Sequence, residues 1–335
     1  MDKVLKGAAI ALGLSGLSLL MFYSWATASG YPIRRYAEMF SYGDPLTIPA
    51  SDTFTVVSYN IGYLSGLTNN VAVNRSADLF EANLQQAIQT LQGLGADLIA
   101  LQEIDLAAKR SYDVNQVDAL ATALDLPVGA VNINWDKNYV PFPYWPPTAH
   151  FGRILSGQAV LSRYPIARND RIVLEKVASR PFFYNALYLD RLAQVTEVQL
   201  GDRSLILINL HLEAFDNPTR LAQTQVVKDL AERYAQDYPV LLVGDFNSAV
   251  NRPEEGEIKT IEVLAESSLL TPAIALARHS DADQATFPAD APQHKLDYIF
   301  YTPATLEMLT ARVVTEAGPA SDHLPIAMTF RLKGE

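Results

Sequence analysis

Pro239-Val240-Leu241-Leu242-Val243-Gly244-Asp245-Phe246-Asn247 is an apolar run that stops at a glycine and then presents a carboxylate and a carboxamide two residues apart. A short apolar run between Pro and Gly reads as a buried strand, and side chains two apart on extended chain point the same way. The same grammar recurs along the chain. Thr55 to Ser58 leads to Asn60, Leu98 to Leu101 leads to Gln102 and Glu103, and Leu205 to Leu210 carries Asn209 and ends in His211. Asp297 stands in Lys295-Leu296-Asp297-Tyr298-Ile299-Phe300, and Ser321-Asp322-His323 precedes a last apolar run. Strand ends let a sheet hold side chains rigidly along one edge. With no cysteine in the chain, these clusters describe an oxygen-rich site for a hard divalent cation, flanked by two histidines suited to proton transfer.

Between the clusters the pattern alternates strand and helix. A strand over 54–60 precedes a polar loop, Ser65 to Asn74. Residues 76–94 follow as a helix, with Leu79, Ala82, Ala87, Ile88 and Leu91 near helical spacing and Gly93 and Gly95 closing it. A strand over 97–101, a helix over 116–124 and a strand over 128–134 continue the order. Residues 135–156, with Trp135, Tyr139, Phe142, Tyr144, Trp145, Phe151 and four prolines, read as an irregular loop and not a central strand; its rings are either packed or form an aromatic rim for a membrane or an apolar substrate. Strands are expected at 158–163, 171–176, 184–189, 192–199 and 203–210, the last two joined at Gly201-Asp202. A helix over 219–236 starts at Asn217-Pro218. After the 239–243 strand and a helix near 257–266, strands at 296–301, 311–315 and 325–331 are expected to complete a second layer. No internal repeat is visible.

The clusters run from Asn60 to His323, so one site draws on both halves of the 335 residues and the sequence reads as one catalytic domain over 53–335. Lys3 and Lys6 precede an uncharged stretch, Gly7 to Gly30. It is long enough for a membrane anchor, with Tyr23 and Trp25 placed for the interface, and Ala26-Thr27-Ala28 would suit cleavage if it were instead a signal segment. The anchor is the favoured reading, residues 31–52 forming a linker. Either way the catalytic domain is expected outside the cytoplasm, membrane-anchored, or secreted if cut after Ala28. The formal net charge of −11 disfavours long nucleic acid, which usually meets a basic groove.

Taken together, the six motifs resemble the endonuclease/exonuclease/phosphatase superfamily of metal-dependent phosphoesterases, from about Phe54 to Phe330. The resemblance implies an α/β fold, a four-layer α/β/β/α sandwich of two packed mixed β-sheets. It implies Asn60, Glu103 and Asp322 as metal ligands, with Mg²⁺ the expected ion and Mn²⁺ or Ca²⁺ the alternatives. It makes Asp245 the group that orients or deprotonates the attacking water, Asn247 a donor to the phosphoryl group, and His211 and His323 a catalytic pair, with His323 held by Asp297. Two positions depart from some relatives: Gly62 replaces a second acid, and Gln158 replaces a glutamate. Gln158, Arg110 and Arg191 are candidate phosphate contacts, a surface salt bridge being the favoured reading for each arginine. The activity implied is hydrolysis of a phosphoester, with a phospholipid-like or small phosphorylated substrate at a membrane as the first reading, an extracellular nuclease as the second and an inactive binding module as the third. No protein partner is inferable from the sequence.

Overall fold

The computed structural model describes residues 2–49, 51–250, 252 and 260–334. Its strands are β1 (Ala37–Ser41), β2 (Thr53–Asn60), β3 (Leu98–Asp105), β4 (Val128–Val140), β5 (Gly152–Ser162), β6 (Ile166–Val173), β7 (Leu192–Leu200), β8 (Arg203–His211), β9 (Val240–Asp245), β10 (Thr271–Pro272), β11 (Asp297–Tyr301), β12 (Leu306–Val313) and β13 (Ile326–Leu332). The helices are α1 (Asp2–Thr27), α2 (Ala77–Leu94), α3 (Gln116–Ala123), α4 (Phe182–Asn185), α5 (Asn217–Tyr234) and α6 (Thr260–Ala265).

Two mixed sheets stack face to face. One has the order β1-β4-β5-β3-β2-β13-β12 and the other β10-β11-β9-β8-β7-β6. Each contains a single parallel pair, β2 with β3 and β8 with β9, because α2 and α5 provide the crossovers that parallel neighbours need. Alternation along β8 explains the layers: Leu205 and Leu207 enter the core between the sheets, while Ile206, Ile208 and Leu210 pack with Val227 and Leu230 of α5. Helix α2 is bounded as its sequence dictates, Ser76 accepting from Leu79 N and Gly95 taking the left-handed conformation at φ 58°.

Between the sheets lies a buried amide network. Gln102 Nε2 donates to Asn209 Oδ1 at 2.6 Å, and Asn209 Nδ2 donates to Leu101 O, Ala159 O and Gln194 Oε1. Buried amides tolerate few alternative arrangements, so this network fixes how the two sheets register just beneath the carboxyl ends of both parallel pairs.

Several elements differ from the sequence reading. The expected linker contains β1, which pairs with β4 at the sheet edge. Half of residues 135–156 are strand: β4 runs to Val140 and β5 starts at Gly152, since the four prolines all fall within 141–147 and polar Asn132, Asn134 and Asp136 alternate with apolar neighbours through the extension. Residues 184–189 form the end of α4 and a turn, because Pro181 starts a single helical turn there. Strands β12 and β13 join the first sheet, β13 pairing with β2; antiparallel strands can add to an edge of either sheet, and of the three expected strands β11 alone joins the second, where the short β10 pairs with it. The start expected for the helix near 257 lies outside the described residues.

Candidate active site

The carboxyl ends of β2, β3, β8 and β9 converge, and the starts of β11 and β13 meet them from the opposite direction. Asp297 opens β11 directly across from Asp245. Gly244 permits this closeness: its φ is 140°, and a Cβ there would fall 2.0 Å from Leu210 O on β8. Glu103 and Asn247 both adopt φ 51°, a conformation uncommon for such residues and concentrated at functional positions.

Asp245 is the hub. Its Oδ1 accepts from Asn247 N at 2.8 Å, and its Oδ2 accepts from Asn60 Nδ2 at 3.0 Å. His211 Nε2 lies 3.5 Å from Asp245 Oδ2 and 3.7 Å from Glu103 Oε1, while His323 Nε2 lies 3.8 Å from the same Asp245 oxygen. On its far side His323 Nδ1 is 2.9 Å from Asp297 Oδ2. Ser321 Oγ donates to Asn60 O at 2.8 Å and accepts from His323 N, so the Ser-Asp-His segment is stitched to the end of β2.

The two imidazoles are driven apart. Burial, reinforced by Arg191 and His323, pushes His211 well below its ordinary pKa. Burial also acts against a charge on His323, but Asp297, Asp245 and Asp322 outweigh it and hold His323 well above the ordinary value. Asp245 is pushed up to about 7, first by burial and then by Asp297, against the pull of His323. Glu103 is raised by burial and by Asp322. One neutral and one protonated imidazole on either side of a carboxylate is the division an acid–base pair requires.

Glu103 and Asp322 meet around Asn69, a residue that nothing in the sequence singles out, while Asn60 Nδ2 lies 3.4 Å from Glu103 Oε1 and Asn60 Oδ1 accepts from Gly62 N. Asn69 Nδ2 donates to Glu103 Oε2 at 3.0 Å and sits 3.3 Å from both Asp322 oxygens. Its position in a polar loop, away from any strand end, carried no signal. Two carboxylates sharing one amide, with no lysine or arginine bonded to either among the described residues, form an all-oxygen donor set suited to a hard cation. Asp245, Asp297 and His323 also offer ligand atoms within 4.8 Å of one another; one hydrogen bond, between His323 Nδ1 and Asp297 Oδ2, joins them, and Asp297 Oδ1 has no partner among the described residues. Gly62 has a reason to be glycine: its φ is 54°, and a Cβ would lie 2.8 Å from Asp322 Oδ1 and 2.9 Å from Ser321 Oγ.

Three expected contacts fall elsewhere. Arg110 is buried in a bidentate pair with Asp105, its guanidinium 3.4 Å from the centre of the Tyr63 ring; the fork satisfied by a carboxylate five residues earlier does not reach the site. Gln158 turns between the sheets, where Nε2 donates to Asn209 O at 3.0 Å. The Asn247 amide donates to Leu212 O at 3.0 Å and lies 3.3 Å from Asp245 Oδ2, which makes it a clamp on Asp245 and not a free donor. Arg191 lies beside the site, 4% exposed. It contacts Glu213 at 3.5 Å and donates to Tyr188 OH at 3.0 Å, while Nη1 has no partner among the described residues.

A family model described as "Endonuclease/Exonuclease/phosphatase family" matches residues 57–323, a span that includes every motif of the site. A UPF0294 protein of Vibrio cholerae is 31% identical over 147 residues, 44% of this chain and 47% of that protein; the chain thus spans about half the length of the curated relatives it matches. Among solved structures, an endonuclease/exonuclease/phosphatase from Beutenbergia cavernae superposes with a TM-score of 0.64 at 19% identity, covering 84% of this chain and 72% of its own. The human Nocturnin catalytic domain with bound sulfate gives 0.58 at 18% identity, covering 90% of this chain and all of that one. At such identities the structural likeness concerns the fold.

Proposed function

We propose, from the premise that the chain belongs to the Endonuclease/Exonuclease/phosphatase family, that it is a divalent-metal-dependent phosphodiesterase acting on a phospholipid-like or small phosphorylated substrate at the outer surface of a membrane. The observation that carries this reading is the pair of oppositely tuned histidines on either side of Asp245, next to the Glu103–Asp322 oxygen cluster.

Glu103, Asn60 and Asp322 would hold the cation, Mg²⁺ first among candidates. When bound it would supply positive charge to a phosphoryl oxygen and offset the negative charge of the two carboxylates. The remaining work falls to the chain itself. Asp245, clamped by Asn247 and Asn60, accepts a hydrogen bond from the attacking water and takes its proton as the water adds. His323, kept protonated and oriented by Asp297, donates its Nε2 proton to the ester oxygen as the bond from phosphorus to that oxygen breaks, so that the leaving group departs as a neutral alcohol. Neutral His211 positions the water or accepts a proton in turn. Arg191, with an unpaired N–H beside the site, serves as a second phosphate contact.

The substrate class rests on charge and tether. A net charge of −11 works against a polyphosphate backbone, while Lys3–Thr27 is long and apolar enough to cross a membrane, with Lys3 and Lys6 on the side that stays inside. The test is a panel run with the full chain: sphingomyelin, glycerophospholipids, inositol phosphates, RNA and plasmid DNA, each with Mg²⁺ and with chelator. Metal-dependent hydrolysis of a lipid or small phosphoester supports the reading. Efficient plasmid nicking at physiological salt, with every lipid intact, transfers it to the extracellular nuclease.

A further inference from the structure

We propose that the catalytic domain is rigidly mounted on its membrane helix with the mouth of the site resting on the bilayer from which α1 emerges, so that it takes headgroups from that same leaflet. This rests on the reading of α1 as a membrane helix, and adds to it an orientation that three structural features define.

The first is the mount. Helix α1 is exposed along its length until the last turn, where Ala26 is buried. There Asn138 Nδ2 donates to Trp25 O and Lys137 Nζ to Thr27 O, both at 3.0 Å, and Asn138 N donates to Ala28 O. Phe22 and Trp25 pack on Tyr139, with ring centroids 5.7 and 6.3 Å apart. The chain then continues without slack. Asp136 accepts from Gly30 N, Tyr31 N and Tyr36 OH and pairs with Arg153 at 2.6 Å, after which β1 joins the sheet.

The second is an arm. Beyond the level of Asp105, where Trp135 pairs with Ser156, β4 and β5 continue as a hairpin to Val140 opposite Gly152. Those five further residues extend about 16 Å past the end of β3, on the side where the site opens. The arm therefore carries the last turn of α1 and the 141–151 loop together.

The third is a rim of exposed rings. Trp145 and Tyr144 sit at the arm tip, Phe182 and Phe183 on α4, and Phe215 just beyond His211; Trp145, Phe182 and Phe215 are 76%, 78% and 74% exposed. These loops are joined to one another and to the site. Phe142, Phe151, Trp135, Leu189 and Tyr188 form one cluster, Trp135 Nε1 donates to Leu187 O, and Tyr188 accepts from Arg191. Large apolar rings clustered around an acidic site, at the height where an apolar helix leaves the membrane, match an interface better than open water.

The chain has no cysteine, so Trp145→Cys, Phe182→Cys and Gly93→Cys each create a single labelling position; Gly93 lies in the last turn of α2, ahead of the other end of the sheet, with open space around it. The full chain, reconstituted in phosphatidylcholine vesicles and carrying an environment-sensitive fluorophore, is titrated with spin-labelled phosphatidylcholine. Quenching and a blue shift at 145 and 182, with neither at 93, are the expected result. Labels at 145 and 182 as water-exposed as at 93 would overturn the proposal. Adding Lys137→Ala and Asn138→Ala should release the mount and reduce quenching at 182; unchanged quenching would refute the rigid mount. Because the readout is position and not turnover, this outcome is separable from whether the site hydrolyses any phosphoester.

Discussion

Replacing Asp297 by Asn removes one charge from the buried pair that keeps His323 protonated, and the structure sets the size of the effect. The Asp297–His323 bond is 2.9 Å long, and both side chains are almost completely buried. A hydrogen bond to a charged group contributes ~1.5–3 kcal/mol against ~0.5–1.5 for a neutral one, so the variant forfeits roughly 1–2 kcal/mol of imidazolium stabilisation. That lowers the His323 pKa, while Asp245 and Asp322 still raise it. If protonated His323 is the donor, activity is lost as pH rises through its pKa, and the alkaline limb of kcat/KM should move down. At ~1.36 kcal/mol per tenfold, the loss should slow the rate above that limb by roughly 5- to 30-fold. The assay is hydrolysis of a soluble nitrophenyl phosphodiester with Mg²⁺ across pH, with circular dichroism confirming the fold. A folded variant with wild-type rates and an unmoved alkaline limb would refute the assigned role of the pair.

Lys295 makes a different test. Its Nζ has no hydrogen-bond partner among the described residues, and burial, only partly opposed by Asp297, drops its pKa to about 7. A depressed lysine destabilises the native state below that pKa, and the penalty fades as pH rises toward the unfolded value; its ceiling at neutral pH is ~4–5 kcal/mol. Lys295→Met should therefore raise stability to urea by a few kcal/mol near pH 7 and by little near pH 10, and a variant less stable than wild type at neutral pH would contradict this. Gly62→Ala should cost about 1–3 kcal/mol and weaken Mg²⁺ binding by calorimetry, since its methyl would displace Asp322; unchanged stability and affinity would show that the loop yields freely. His211→Ala should lower turnover by roughly 10²–10⁴-fold, and near-wild-type turnover in a folded variant would return His211 to a structural role.

Legibility followed physical range. Asn60, Glu103, His211 and Asp245 announced themselves because each ends an apolar strand, and a strand end predicts both a position and an edge. Asp297 and His323 became a pair only through the resemblance, since nothing local links residues 26 apart. Asn69 and Tyr188 were invisible because their partners are set by tertiary packing of loops. Gln158 falls elsewhere for the same reason, its amide facing Asn209, while Arg110 forms an ion pair that is buried on Asp105 and not at the surface. The arm is hidden in the sequence because the prolines of its tip dominate the whole 135–156 stretch, although the alternation around Asn134 and Asp136 favours strand.

The central claim is that Glu103 and its neighbours hold a divalent cation on which phosphoester hydrolysis depends. The most direct measurement compares wild type with Glu103→Gln in two readouts: Mg²⁺ binding by calorimetry, and hydrolysis of the soluble phosphodiester with Mg²⁺, with excess chelator and after Mg²⁺ is restored. Wild-type turnover should vanish in chelator and return with the metal. Glu103→Gln, which removes a buried carboxylate facing Asp322, should fold at least as stably as wild type yet bind Mg²⁺ at least ~10-fold more weakly and hydrolyse little. Full turnover in chelator, or wild-type affinity and rate in Glu103→Gln, would contradict metal dependence at this site.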